Sequence, residues 1–142
     1  MKTTQTLLCS LALLIAAGCG GGGDLDYGPL GTLSGKVTSG GNPITEGTIV
    51  LEKQGGGGSG GAEIQSDGTF TVTDKIGGIP AGTYKVAFFP PTVEVDEGPN
   101  SPPSTGFKDM PNLPEKYRTF DTSGLTVEIK EGKNTHDFDL VP

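Results

Sequence analysis

The chain has no tryptophan, a single histidine (His136), two cysteines and only 6% aromatic residues. One His cannot build a multi-histidine metal site, and it argues against a His-dependent nucleophile dyad. Basic residues number 10 against 17 acidic ones, for a net charge of −7. A nucleic-acid surface needs a basic stripe to neutralise phosphates, so no nucleic-acid partner is expected, and an anionic lipid face is excluded on the same ground. Apolar residues reach only 32%, while 25 Gly and 11 Pro occupy about a quarter of the 142 residues. That share borders on low-complexity composition, so only part of the chain packs densely, and the length suits one domain.

What is present begins with an address. Residues 1–18 combine Lys2, an apolar run from Leu7 to Ala17 and a small-residue end, the three parts of an export signal. The run is eleven residues long, against the roughly 20 that a bilayer span needs. Ala16-Ala17-Gly18 followed by Cys19 resembles the lipobox of bacterial lipoproteins, in which the Cys becomes the lipidated first residue; Ala16 stands where that family most often has Leu. Cys9 leaves with the signal, so the mature chain keeps only Cys19 and forms no internal disulfide. The acyl chains on Cys19 would supply the two or more hydrophobic anchors that stable attachment requires. Residues 19–29 then form a tether, its glycines Gly20–Gly23 flexible. Gly20, rather than Asp, follows the Cys, which by resemblance to Gram-negative lipoproteins points to the outer membrane.

The rest, residues 30–142, alternates with period two and shows no 3.6-residue apolar period. Strands are expected at Thr32–Thr38, Thr48–Lys53, Ala62–Gln65, Thr69–Thr73, Thr83–Phe89, Leu125–Lys130 and His136–Val141. Leu33, Gly35, Val37, Ile49, Leu51, Phe70, Val72, Tyr84, Val86, Phe88, Leu125, Val127, Ile129, Phe138 and Leu140 fall on the inward faces. Ser66-Asp67-Gly68 reads as a hairpin turn because Gly accepts positive φ, and Gly132-Lys133-Asn134 as a tight connection. Seven short strands with Gly-rich turns predict an all-β antiparallel sandwich with a thin core. Two segments stand apart. Gly55–Gly61 reads as a flexible tip; a phosphate-cradling loop would need a Lys-Ser/Thr pair and a following helix, which it lacks. Residues 90–114 form a Pro-rich insertion whose seven prolines interrupt strand pairing.

Gly35-Lys36-Val37-Thr38, Gly41-Asn42-Pro43-Ile44, Glu46-Gly47-Thr48-Ile49-Val50, Asp67-Gly68-Thr69-Phe70 and Ile79-Pro80-Ala81-Gly82-Thr83-Tyr84-Lys85-Val86 together resemble the carboxypeptidase regulatory-like, transthyretin-like domain. Pro114-Glu115-Lys116-Tyr117 and Ser123–Val127 are similar to stretches in small lipoproteins of planctomycete-type bacteria that carry this domain. The resemblance spans about Leu30 to Leu140. It implies a seven-stranded prealbumin-like sandwich and no catalysis, since in carboxypeptidases this domain accompanies a separate zinc enzyme.

The chemical candidates read as structural. Asp24 with Asp26, Asp137 with Asp139, and Glu94, Asp96 and Glu97 lack the spacing of a calcium loop, so a solvated acidic surface is expected and no metal or cofactor. A Lys36–Asn134 isopeptide bond, known from related sandwiches of surface adhesins, needs a buried Lys, whereas Lys36 falls on the outward face. No catalytic constellation is expected, and a hydrolase is the least favoured reading. The primary expectation is a non-enzymatic, lipid-anchored envelope protein whose sandwich binds an envelope protein or polysaccharide or serves structure. The alternative, a carbohydrate-binding accessory domain, needs exposed rings, for which Tyr27, Phe107, Tyr117 and Phe120 are the candidates. The Pro-rich segment is the candidate partner-binding loop, with Phe107, Met110, Leu113 and Tyr117 as apolar anchors; a surface loop tacked down by Leu113 and Tyr117 is the other reading.

Overall fold

A computed structural model describes residues 26–99 and 101–141. The expected signal segment, Cys19 and Gly20–Gly23 lie outside the described residues. The first strand, β1 (Leu30–Ser39), is the centre of one sheet. It runs antiparallel to β2 (Asn42–Pro43), β5 (Thr69–Val72) and β6 (Ile79–Pro80), and parallel to β11 (Gly132–Thr135) and β12 (Phe138–Leu140). Gly31, Leu33 and Ser34 each have a partner in both sets, so β1 is flanked on both sides. The second sheet is antiparallel throughout, in the order β10 (Leu125–Ile129), β7 (Gly82–Phe89), β3 (Thr48–Lys53), β4 (Ser59–Glu63). A separate hairpin pairs β8 (Thr92–Val95) with β9 (Ser104–Phe107).

The molecule is thus an all-β sandwich, but with twelve strand segments among the described residues instead of seven and with two parallel pairings at β1. The alternation works as expected in the long strands. Tyr84, Val86 and Phe88 of β7 are fully buried, facing Leu33 and Val37 of β1 across one core with Ile49, Leu51, Val127 and Ile129. Phe138 of β12 joins the sheets, its ring lying 6.0 Å from Phe70 of β5 and 5.5 Å, edge-on, from Phe88 of β7. Aromatic pairs at these separations add to area burial.

Three local expectations are corrected. The Asp67-Gly68 turn does not close a two-stranded hairpin: β4 pairs with β3, β5 pairs with β1, and the turn carries the chain from one sheet to the other. Gly68 has φ 84°, which suits Gly, and its amide donates to Gln65 O at 2.8 Å. The tract Gly55–Gly61 is not all tip, because Ser59–Gly61 lie in β4 with Gly60 opposite Leu51. A Cβ on Gly60 would approach Val72 Cγ1 to 2.9 Å and Ile79 Cγ2 to 3.0 Å. Gly132–Asn134 is not merely a connection but part of β11, laid along β1.

The segment 90–114 is ordered into elements. Pro90 and Pro91 stop the β7 ladder, the β8–β9 hairpin follows, and the chain returns to the core at Met110 and Leu113. Arg118, at the end of a 3₁₀ turn over Glu115–Arg118, donates from Nη2 to the carbonyls of Met110 (3.0 Å) and Leu113 (2.8 Å). Tyr117 OH donates to Val141 O at 3.1 Å, and Ser123 Oγ to Val86 O at 2.6 Å. A short helix, α1 (Phe120–Ser123), begins at Thr119, whose hydroxyl accepts the Thr122 amide.

Candidate functional site

Residue parity creates the main groove. Because Tyr84, Val86 and Phe88 point inward, Phe89 points out, beside Thr48 and Val50 of β3, which share that outward face. The chain then leaves the sheet through Pro90 and Pro91 and returns in β9, where Lys108 N donates to Pro91 O at 2.8 Å and closes the base of the hairpin. This return sets Phe107 against Phe89, with ring centroids 6.4 Å apart and planes 30° from parallel. Between the hairpin and the sheet lies a groove of about 660 Å³ whose lining combines Val50, Ile64, Phe89, Pro90, Pro91 and Phe107 with Glu46, Glu63, Thr48 and Thr92. Lys108 Nζ bridges to Glu46 Oε1 at 2.6 Å. Both side chains are half exposed, so this bridge positions the hairpin base more than it stabilises it.

The hairpin is apolar outward as well. Phe107 is 62% exposed, Val93 39% and Val95 40%. In register, Thr92, Glu94, Thr105 and Phe107 share one face and Val93, Val95, Ser104 and Gly106 the other. Neither strand has a second neighbour among the described residues, so both edges offer unpaired backbone groups.

The groove and the start of β1 lie at opposite ends of the sandwich. Leu30 pairs with Pro80, immediately before β7 begins at Gly82, whereas the groove lies where β7 ends at Phe89. At the far end of β1, Val37 O accepts from Ile44 N, and the chain from there reaches Gly47, which packs against Phe89 O. Eight residues at about 3.3 Å each separate the two poles by roughly 26 Å.

The four residues named for the Pro-rich loop do not converge on one surface. Met110 (3% exposed), Leu113 (1%) and Tyr117 (7%) belong to the core cluster, and Phe107 alone of the four faces the groove. Pro90 and Pro91 belong to the segment expected from sequence to bind a partner, whereas Phe89, Val50 and Glu63 are not among its candidates, although the alternation of β7 turns Phe89 outward. Tyr27 is exposed, whereas Phe120 is partly buried.

Of the acidic candidates, Asp26, Asp96, Glu97, Asp137 and Asp139 are engaged by backbone amides or neighbouring hydroxyls. Asp137 Oδ1 accepts from Lys36 N at 2.8 Å, and Asp139 Oδ1 from Thr38 Oγ1 at 2.8 Å and Gly41 N at 3.3 Å. Asp26 and Asp96 each accept the amide two residues on, at 2.9 Å, and Glu97 accepts from Ser104 Oγ. Asp67 accepts the hydroxyl and the amide of Thr69, at 2.6 and 2.9 Å, and these bonds hold its carboxyl below the usual carboxylate range. Among the described residues, no group of three or more His, Cys, Asp or Glu stands ready for a metal ion.

A second, smaller depression of about 340 Å³ lies along β10 and β11, lined by Thr126, Glu128, Asn134 and His136 among others. Asn134 is committed to the backbone there: its Oδ1 accepts from Lys130 N at 3.0 Å, and its Nδ2 donates to Lys130 O at 2.7 Å and Thr32 O at 3.2 Å. Lys36, the other member of the isopeptide pair, is exposed. His136 is exposed too, its ring edge-on to Phe138 at 4.6 Å and its amide donating to Ser34 O. No helix among the described residues is long and apolar enough to cross a membrane. Comparison of the chain with protein-family models, with curated proteins and with solved structures finds no match.

Proposed function

We propose that this chain is an exported, non-enzymatic protein of the cell envelope, anchored through lipid on Cys19, whose sandwich presents a binding groove away from the membrane. In this reading the fold is the prealbumin-like one implied by the resemblance to carboxypeptidase regulatory-like domains, and the membrane is the outer one. The observation that carries the reading is the polarity of the sandwich: β1, which follows the tether, begins at one pole, and the apolar groove under Phe107 lies at the other. Eleven residues separate Cys19 from Leu30 in sequence and set the stand-off available to the sandwich. The length of β7 then adds to that stand-off and carries the groove clear of lipid headgroups. The bonds made by Asp137, Asp139, Asp67 and Asn134 support a structural role for these residues rather than acid–base work.

The anchor is tested by Cys19→Ala. The expected outcome is loss of acyl mass on the N-terminal peptide and transfer of the protein from the membrane fraction to the soluble envelope fraction or the medium. Unchanged membrane retention, with no acyl mass on the parent protein, would refute it.

A further inference from the structure

Resting on the reading of the Phe107 groove as the binding surface, we propose that its occupant is an extended, lysine- or arginine-bearing peptide segment, laid along the open edge of the β8–β9 hairpin with an apolar side chain against Phe89, Phe107 and Val50. Three observations converge on this class of ligand. The apolar part of the lining is Val50, Ile64, Phe89, Pro90, Pro91 and Phe107, which suits a branched or aromatic side chain. The hairpin offers a strand edge with no second neighbour among the described residues, and an added extended strand satisfies such an edge through main-chain bonds.

The third observation is charge. Residues 92–107 carry Glu94, Asp96 and Glu97 and no Lys or Arg, and the groove adds Glu46 and Glu63. Lys108 is the only cation bridged to this set, and it is spent on Glu46; Glu63 and Glu94 have no ion-pair partner among the described residues. A second copy of this chain would bring the same acidic hairpin and a net charge of −7 to the contact, so self-pairing is opposed and a cationic strand is favoured. Residues two apart on an added strand share a face, so an apolar side chain enters the groove while a cation two positions along reaches Glu94 or Glu63 on that same face.

The test uses the full-length protein purified in detergent and fluorescein-labelled decapeptides followed by anisotropy. A Lys-Val peptide repeating Val-Ser-Lys-Ser, which puts Val and Lys on one face, is expected to bind, with affinity falling as salt is raised. The Lys-Ser peptide, with each Val replaced by Ser, should bind about tenfold more weakly, and one with each Lys replaced by Glu should not bind. Glu63→Gln and Glu94→Gln should each weaken the Lys-Val peptide about two- to fivefold, as rim charges do, and Phe107→Ser about tenfold, with thermal unfolding close to the parent's in each variant. Equal binding of the Lys-Val and Lys-Ser peptides, or an affinity indifferent to Phe107→Ser, would overturn the proposal. A chitohexaose probe separates the two levels. Phe107-dependent binding of the sugar, with none of the Lys-Val peptide, overturns the peptide occupant and leaves the groove as the binding surface; no Phe107-dependent binding of either probe overturns both.

Discussion

Leu113→Ala and Phe107→Ala alter two residues of the same proline-rich segment, and the structure demands losses of very different size. Leu113 is 1% exposed, and its carbonyl is held by Arg118. Truncating a Leu so buried costs about 2 to 5 kcal/mol, transfer and cavity contributions together. Phe107 is 62% exposed, so of roughly 200 Å² of ring side chain about 75 Å² leaves water on folding. At about 25 cal/mol/Å² that is an upper bound near 2 kcal/mol, and what alanine still buries brings the expected loss to about 1 kcal/mol. For a domain of about 110 residues the unfolding entropy is roughly 0.23 kcal/mol/K, so 1 kcal/mol moves Tm by about 4 °C. Leu113→Ala should therefore lower Tm by about 8 to 20 °C and Phe107→Ala by about 4 °C or less, read by circular dichroism on the parent and both variants. A Leu113→Ala protein melting within about 2 °C of the parent would detach the segment from the core. A Phe107→Ala drop as large as that of Leu113→Ala would make the hairpin part of the core and remove the groove's claim to be a surface.

Gly60→Ala separates a flexible glycine tract from a packed one, because the two give opposite signs. In a flexible tip the change stabilises by about 0.4–1 kcal/mol through the unfolded chain. Against Val72 and Ile79 it overpacks the core and costs about 1–3 kcal/mol, visible as a lower denaturation midpoint; a rise in midpoint would sink the assignment. Tyr84→Phe removes a 2.6 Å hydrogen bond to Pro80 O and should cost about 1 kcal/mol at neutral pH. Burial raises the Tyr84 pKa above its ordinary value, so its contribution is fully present below about pH 10 and is lost as pH rises through the raised value. Urea melts from pH 7 to 12 should show the gap between parent and variant closing only on the alkaline side, and a gap that closes on the acid side would refute the sign.

Period two was enough to find the long strands, because each buries one face: Ile49 and Leu51, then Tyr84, Val86 and Phe88, come out buried as their alternation requires. Pairing was a different matter. The Asp67-Gly68 step says that the chain turns, but the choice of β1 over β4 as the partner of β5 depends on which strand has a free edge, and that is settled by residues 30–39 far away in sequence. Gly60 poses the same problem inverted. Nothing in a run of glycines reveals that one of them sits opposite Leu51, under Val72 and Ile79, where the missing side chain makes room for theirs. Gly35, read as an ordinary inward position, is a glycine for a reason equally remote: a Cβ there would fall on the carbonyl of His136. In segment 90–114 the prolines marked where the β7 ladder ends. Thr92-Val93-Glu94-Val95 did alternate, and Pro99, Pro102 and Pro103 fall in the connection between β8 and β9, so the hairpin was available to a closer reading.

The groove follows from the same accounting of faces. An outward Phe89 at the end of a strand needs cover, and the chain supplies it from its own continuation, a hairpin that returns Phe107 to the exposed ring. Two strands alone are marginal in water, and among the described residues what ties these to the sandwich is modest, a half-exposed ion pair from Lys108 to Glu46 and the contact of Phe107 with Phe89. The hairpin is therefore expected to open locally at less cost than the core strands, while Met110, Leu113 and Tyr117 lock the following residues into the core. Adaptable backbone edges are thus joined directly to a rigid base. A ligand strand that adds to the hairpin supplies the third strand it lacks, so binding and ordering of this element are one event, and the sandwich beneath need not move.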